Sequence, residues 1–215
     1  MTRFFDIIFS GAAIVFFLPI IVIVSLLLRL TGEGEIFYLQ HRVGLKGKKF
    51  VLFKFATMKK NSPFIGPGNI TVKNDPRVLP VGKYLRKAKI NELPQLFNIF
   101  WGDMSIIGPR PLTEDTFFIY SKPQQLLISS VRPGLSGAGS VFFRNEENLL
   151  EKSNNPKAFY KNKIAPYKAK IEVWFVKNAN VKLYFYLIVL TILVVFYPNF
   201  KNFILRLKDF PSAPK

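Results

Sequence analysis

The sequence predicts an α+β fold: a small, mostly helical domain with a short sheet, seated on a membrane by a proline-bent N-terminal helix and by interfacial amphipathic helices. Three observations predict it. Residues 7–28 form an uncharged apolar run of 22 residues, with Arg3 and Asp6 before it and Arg29 after it. As a helix, such a run is long enough for a hydrocarbon layer of about 30 Å. Residues 36–39 and 50–55 read as short extended segments rich in aromatic and aliphatic side chains. Leu93, Leu96, Phe97, Ile99 and Phe100 then fall at helical spacing.

Composition narrows the partners. The chain has 215 residues, enough for one domain with a core plus a membrane anchor. Lys+Arg number 31 against 13 Asp+Glu, a net charge of +18, so the partner is anionic: nucleic acid, lipid headgroups or phosphorylated substrates. The 23 phenylalanines and the long apolar run fit a membrane-seated protein better than a free-standing nucleic-acid-binding domain. With no cysteine there is no disulfide framework or thiolate metal site, as suits a cytosol-facing domain. The single histidine, His41, excludes a histidine-rich metal site and reads as structural.

Taken in order, the elements follow from local chemistry. Pro19, near the middle of the first apolar run, removes a donor and clashes with the preceding turn, so a bend is expected there. The run is then either a kinked spanning helix or a re-entrant helix–break–helix that enters and leaves on one face. Gly32 and Gly34 turn the chain out of it. Lys46, Lys48 and Lys49 form a basic loop suited to solvent or headgroups. Lys54 interrupts an apolar strand; it is a candidate phosphate or carboxylate partner, unless it snorkels to the surface. Residues 59–73 contain Pro63, Gly66, Pro67 and Gly68 and read as a loop; 74–77 read as a turn and helix start, and 82–88 as a basic helix.

The second half is read the same way. Residues 117–131 read as an amphipathic helix broken by Pro123. Residues 132–137 form a tight glycine loop whose backbone N–H groups can cradle phosphate. Residues 156–172 interleave lysines with Phe159, Tyr160, Ile164 and Tyr167, as an interfacial helix does. The uncharged run 183–197 is short for a span and is expected to be interfacial or buried. The basic tail 201–215 frays or adds a short helix through Phe203, Ile204, Leu205 and Leu207.

The most informative stretch is 86–111, RKAKINELPQLFNIFWGDMSIIGPRP. It sets Asn91 beside Glu92 and ends by holding Arg110 between Pro109 and Pro111, on a stiff backbone suited to bidentate phosphate recognition. Asp103, in the GDMS turn, reads as a cap or as part of a metal shell. This stretch resembles the signature of the bacterial sugar transferases, the monotopic phosphoglycosyl transferases. The likeness continues through QHRVG (40–44), KFATM (54–58), NDPRVLPVGKYLRK (74–87) and RPGLSG (132–137), so it covers most of the chain in order. One departure matters: the family's Asp-Glu pair is Asn91-Glu92 here. Leu18-Pro19 likewise stands where the family has Ser-Pro, and Tyr184 where it has an aspartate.

The resemblance implies a function. A sugar 1-phosphate would pass from a nucleotide sugar, most simply a UDP sugar, to polyprenyl phosphate at the bacterial inner membrane, with the active domain facing the cytoplasm. This is a first membrane step of glycan assembly, such as exopolysaccharide or capsule synthesis. It implies Mg²⁺ held by Glu92, and phosphate oxygens met by Lys54, Arg86, Arg110, Pro109, Arg42 and Arg144. The expected division is a membrane helix over 1–30, a catalytic domain over 31–182 and an apolar and basic segment over 183–215. The resemblance makes the aspartate the nucleophile, a role an amide cannot take. The candidates that remain are Glu92 itself, charge supplied by an acid such as Glu146, or direct attack by the lipid phosphate. The alternative is a membrane-bound scaffold of the same pathway that does not catalyse.

Overall fold

The structure is a computed structural model, and it describes residues 2–65, 75–144, 146–151 and 155–212. It opens with α1 (Thr2–Thr31). An antiparallel pair follows, β1 (Phe37–Val43) and β2 (Lys49–Phe55). Next come α2 (Pro80–Lys87), a 3₁₀ turn at Ile90–Glu92, α3 (Gln95–Trp101) and β3 (Ser105–Ile107). Two short helices, α4 (Glu114–Phe117) and α5 (Lys122–Ile128), lead to β4 (Gly134–Ser136), which pairs with β3 in parallel. The rest is helical: α6 (Ala138–Phe142), α7 (Glu146–Glu151), α8 (Pro156–Phe159), a π-helical turn, α9 (Ala165–Asn178), α10 (Val181–Phe196) and a 3₁₀ segment at Pro198–Arg206. The α+β expectation holds.

The first helix is one continuous element. Helical structure runs unbroken through Pro19, which lies on the exposed face. A proline forfeits one backbone hydrogen bond, and packing on both sides outweighs that loss here. Ile21, Val24 and Leu28 share a core cluster with Phe55 and Leu85, while Ala13, Ile14 and Phe17 pack on Leu52, Leu96 and Ile99. The helix is about 45 Å long at 1.5 Å per residue, and both of its ends touch the same body. At its start, Arg3 donates to the carbonyls of Ile99 and Phe100, which end α3. Asp6 is fully buried, and its Oδ1 accepts from Ser105 Oγ (3.0 Å), Ile106 N (2.9 Å) and Tyr184 Oη (2.8 Å). Its opposite face bears Val15, Phe16, Ile23, Leu26 and Leu30 outward. By length and composition, α1 is the one helix among the described residues able to cross a membrane.

The core of the remaining chain joins α5, α6, α9 and α10. Ile128, Val141, Ile171, Phe175, Leu187 and Val194 belong to one cluster. Two expectations are corrected. Residues 156–172 do not present their aromatics to an interface: Tyr160, Ile164 and Tyr167 are buried, while Lys161, Lys163 and Lys170 stay outside. Pro123 begins α5 rather than breaking a helix, because Ser121 and Gln124 form a capping box around that first turn. The run 183–197 resolves into a two-faced helix, with Leu183, Leu187 and Leu190 buried and Val189, Ile192, Val195 and Phe196 exposed. The tail is tied down as well, since Ile204 is buried, Tyr167 Oη donates to the Pro211 carbonyl and Trp174 Nε1 to that of Lys208. Most of the 59–73 loop lies outside the described residues.

Candidate active site

Three pieces of local structure build the site. The first is the hairpin. β1 alternates exposed and half-buried positions, so Tyr38, Gln40 and Arg42 share one face. The register pairs Tyr38 with Lys54, which places Lys54 on that face too. His41 points to the other face and is exposed, away from this side of the hairpin.

The second piece is the turn that carries Asn91 and Glu92. Lys89 adopts a left-handed conformation (φ 60°) just past the end of α2, reversing the chain into the 3₁₀ turn. The following helix is fixed to the hairpin by Asn98, which is fully buried. Its Nδ2 donates to the Val51 carbonyl (2.7 Å), and its Oδ1 accepts from Phe53 N (3.0 Å). That amide satisfies the outer edge of β2 and locks α3, with the turn before it, beside Lys54. Asp103 serves the same corner: its Oδ2 accepts from Asn98 Nδ2 (3.2 Å), the turn role rather than the metal shell.

The third piece is the meeting of the GPRP and RPGLSG loops. Gly108 N donates to Ser136 O, and Gly134 N donates to Pro109 O (2.8 Å). A Cβ on Gly134 would lie 2.1 Å from Gly108 N, so only glycine permits the two backbones to come this close. Of the N–H groups expected to cradle phosphate, that of Gly134 is spent on the Pro109 carbonyl. Pro109 is buried, its carbonyl accepts from Gly134 N, and it stands behind Arg110 and outside the lining of the main cavity. Arg42 braces the same loop through the Pro111 carbonyl (3.2 Å).

These pieces converge on one cavity of about 1530 Å³. Arg42, Lys54, Arg86, Asn91, Glu92, Arg110 and Arg144 all line it, and so do Phe17 of α1 and Ile188 and Ile192 of α10. The cationic site thus borders the two apolar helices. Burial lowers the Lys54 ammonium to about 7, with Arg42, Arg110 and Arg86 adding to the effect and Glu92 opposing it. Burial and then Arg110 lower Arg42 to about 10. Burial would raise the Glu92 carboxyl, yet Lys54, Arg110, Lys89 and Arg86 together hold it below the usual carboxylate range. Glu33 and Glu35 pair with Lys60, Asp75 with Arg77 and Glu146 with Lys168. Among the described carboxylates of this cavity, Glu92 alone has no direct hydrogen bond or ion pair. Asn91 is buried at 6% exposure, and its Oδ1 has no partner.

A family model described as Bacterial sugar transferase matches residues 1–198. The chain belongs to that family. Among its relatives is the exopolysaccharide production protein ExoY of Rhizobium meliloti, 35% identical over 158 residues, covering 67% of this chain and 70% of that one. A UDP-glucose:undecaprenyl-phosphate glucose-1-phosphate transferase of Klebsiella pneumoniae is 34% identical over 155 residues, 70% of this sugar transferase but 33% of the longer relative. A UDP-N-acetylgalactosamine-undecaprenyl-phosphate N-acetylgalactosaminephosphotransferase of Aeromonas hydrophila is 40% identical over 142 residues, 65% and 33% of the two chains.

Several residues of this sugar transferase's site went unread in the sequence. Lys168 is 3% exposed, ion-paired to Glu146 at 2.6 Å and set over the Phe143 and Tyr160 rings. Glu172 is equally buried, and its Oε1 accepts from Arg110 N (3.3 Å). Burial raises its carboxyl to about 7, against the pull of the Arg110 N–H and of Lys168. The available signal was Lys168 and Glu172 at i,i+4 spacing, on the same side of α9 as the apolar Ala165 and Ala169. For Asn98 it was a lone amide inside LFNIFW.

Proposed function

We propose that this phosphoglycosyl transferase moves a sugar 1-phosphate from a UDP sugar to a polyprenyl phosphate, at the inner leaflet of the bacterial cytoplasmic membrane and from its cytoplasmic side, releasing UMP. The observation that carries the proposal is the cavity: Arg42, Lys54, Arg86 and Arg110 surround one uncommitted carboxylate, beside two apolar helices. Both substrates bring phosphate and one brings a lipid tail. A cationic pocket at headgroup depth answers both needs. The printed names of the Klebsiella and Aeromonas relatives, with UDP sugar donors and an undecaprenyl phosphate acceptor, support the same reading.

The residues present fit Mg²⁺ in the manner of an ion carried in by its substrate. Among the described residues no group of three acids or histidines gathers to hold a metal alone. Mg²⁺, however, commonly takes one or two protein oxygens and completes its shell with phosphates and water. The Glu92 carboxylate and the unpartnered Asn91 Oδ1, adjacent in one turn, supply such oxygens. When bound, the ion would neutralise diphosphate oxygens and the charge on the departing monophosphate. Arg86 and Arg110 would grip phosphoryl oxygens through their planar guanidinium forks, and Lys54 as a point charge.

The Asn91 amide is too weak a nucleophile to form a covalent phosphosugar, and Glu146 is committed to Lys168. Two routes remain for the phosphorus: attack by the Glu92 carboxylate, or direct attack by the acceptor phosphate oxygen as the bond to UMP breaks. In the direct route the protein contributes position and field alone. Glu92→Gln tests the centre of the proposal. UMP release in the presence of Mg²⁺, UDP sugar and polyprenyl phosphate should fall about 100-fold or more, and full turnover would overturn the assignment. Asn91→Asp tests the route. A large gain in rate would mark the native site as impaired, whereas no gain would fit a path that never needed an acid there. Asn91 also favours a second reading, a scaffold that binds without catalysis; it predicts no UMP release by the native chain with any donor.

A further inference from the structure

The cavity has two ends of different character. Glu92 is balanced by Lys54, Arg110, Lys89 and Arg86 and sits in a strongly cationic field. Burial lowers the Lys168 ammonium and raises the Tyr160 hydroxyl, and the charges acting on both are Glu146, Glu172 and Arg110. Arg110 belongs to both sets, and Arg42 feels both Glu92 and Tyr160. Arg110 N also donates to Glu172 Oε1 (3.3 Å), one turn after Lys168 on α9, and Arg110 lines the cavity together with Glu92, so it adjoins both ends. The far end is lined by Ser140, Glu146, Tyr160 and Lys168. There the acid and base cancel in an ion pair, an aromatic ring adjoins them, and the Ser140 hydroxyl has no hydrogen-bond partner. Glu146 Oε2 takes the ammonium, and the carboxylate side chain keeps 21% exposure toward the cavity.

Such a wall is poorly suited to phosphate, which a carboxylate repels and an already paired lysine attracts weakly. It suits hydroxyl groups, which donate a hydrogen bond to a carboxylate and accept one from an ammonium, with a ring to cover their apolar side. We propose that this end, through Glu146, Ser140 and Tyr160, holds a polyhydroxylated ring of the donor, either its sugar or its ribose. The diphosphate then lies on Arg110 and Arg42, and the phosphorus faces Glu92. The proposal rests on the transferase reading above and assigns to Glu146 recognition in place of chemistry. Its carboxylate gives the chain a group that discriminates a hydroxyl from its absence or its epimer, because an unmet buried partner is costly.

The test uses the full-length protein in detergent with undecaprenyl phosphate and epimeric donor pairs, UDP-glucose with UDP-galactose and UDP-N-acetylglucosamine with UDP-N-acetylgalactosamine. Turnover of any donor by the native chain secures the transferase reading independently. Glu146→Gln keeps an acceptor for Lys168, and Ser140→Ala leaves the ion pair untouched, so at least one variant should retain the native melting temperature. If the site holds the sugar, the ratio of kcat/KM between epimers shifts tenfold or more while product inhibition by UMP stays constant. If it holds the ribose, UMP inhibition weakens tenfold while the epimer ratio stays constant. Folded variants that change neither quantity, or that slow every donor equally with UMP inhibition intact, overturn the proposal.

Discussion

Lys54 shows how a single position acquires its chemistry. Its strand partner and its face come from the hairpin register, and its environment comes from elements distant in sequence. Because burial and three arginines lower its ammonium to about 7, it is cationic below that pH and increasingly neutral above it. Donor binding needs the positive charge, so kcat/KM should decline as pH rises past about 7. An arginine stays charged throughout this range, so Lys54→Arg should lose the declining limb, as a pH profile of UMP release would show. A bound diphosphate favours the charged lysine, which makes kcat less sensitive to pH than kcat/KM. A limb unchanged in the variant would remove Lys54 from donor binding.

At the scale of elements, the seating of α1 is the decisive contact. Asp6 would be costly to bury alone, yet one of its oxygens receives three donors, from β3 and from α10. Tyr184, where the resemblance has an aspartate, supplies one of them and thereby ties the first and last apolar helices together. Asp6→Ala strands those donors and should destabilise the protein by on the order of 3 kcal/mol. For a chain of this size that is a fall in Tm of about 6–12 °C, measured in detergent by thermal melting. A smaller loss, under about 1 °C, would show that apolar packing alone holds α1 in place. The two-strand sheets obey a similar logic: each is too short to stand alone, and each is held by side chains from a neighbour, Asn98 at β2 and Asp6 at β3.

For the whole molecule, the arrangement of α1 bears on the membrane. Its two ends contact one body, through Arg3 and Asp6 at the start and Leu28 at the finish. A helix so fastened lies along the domain with one apolar face outward, a geometry that favours entry and exit on a single side. The absence of native cysteine makes a clean test possible. Thr2→Cys and Gly34→Cys should both react with an impermeant maleimide added to inverted vesicles, whose outer face is cytoplasmic, and neither should react in right-side-out vesicles. Labelling of the two from opposite sides would establish a spanning helix.

Much of this was legible in the chain itself. Periodicity and charge marked the apolar helix, the two extended segments, the basic helix α2 and the α+β class, because those patterns are local and repeat every two or 3.6 residues. The motifs supplied Lys54, Arg86, Glu92 and Arg110 by residue type. Sequence could not give the inward turn of residues 156–172, the packing that seats α1 along its length or the close approach of Gly108 to Gly134. It also missed Lys168 and Glu172, which become meaningful only where they are buried. Each of these depends on which face of an element meets another, a choice made by packing between residues far apart in the chain. The amino-acid order determined a strongly basic α+β protein with a long apolar first helix; the tertiary structure decided that Arg42, Lys54, Arg86 and Arg110 share one cavity with Glu92, since only folding can desolvate charges together and set their balance.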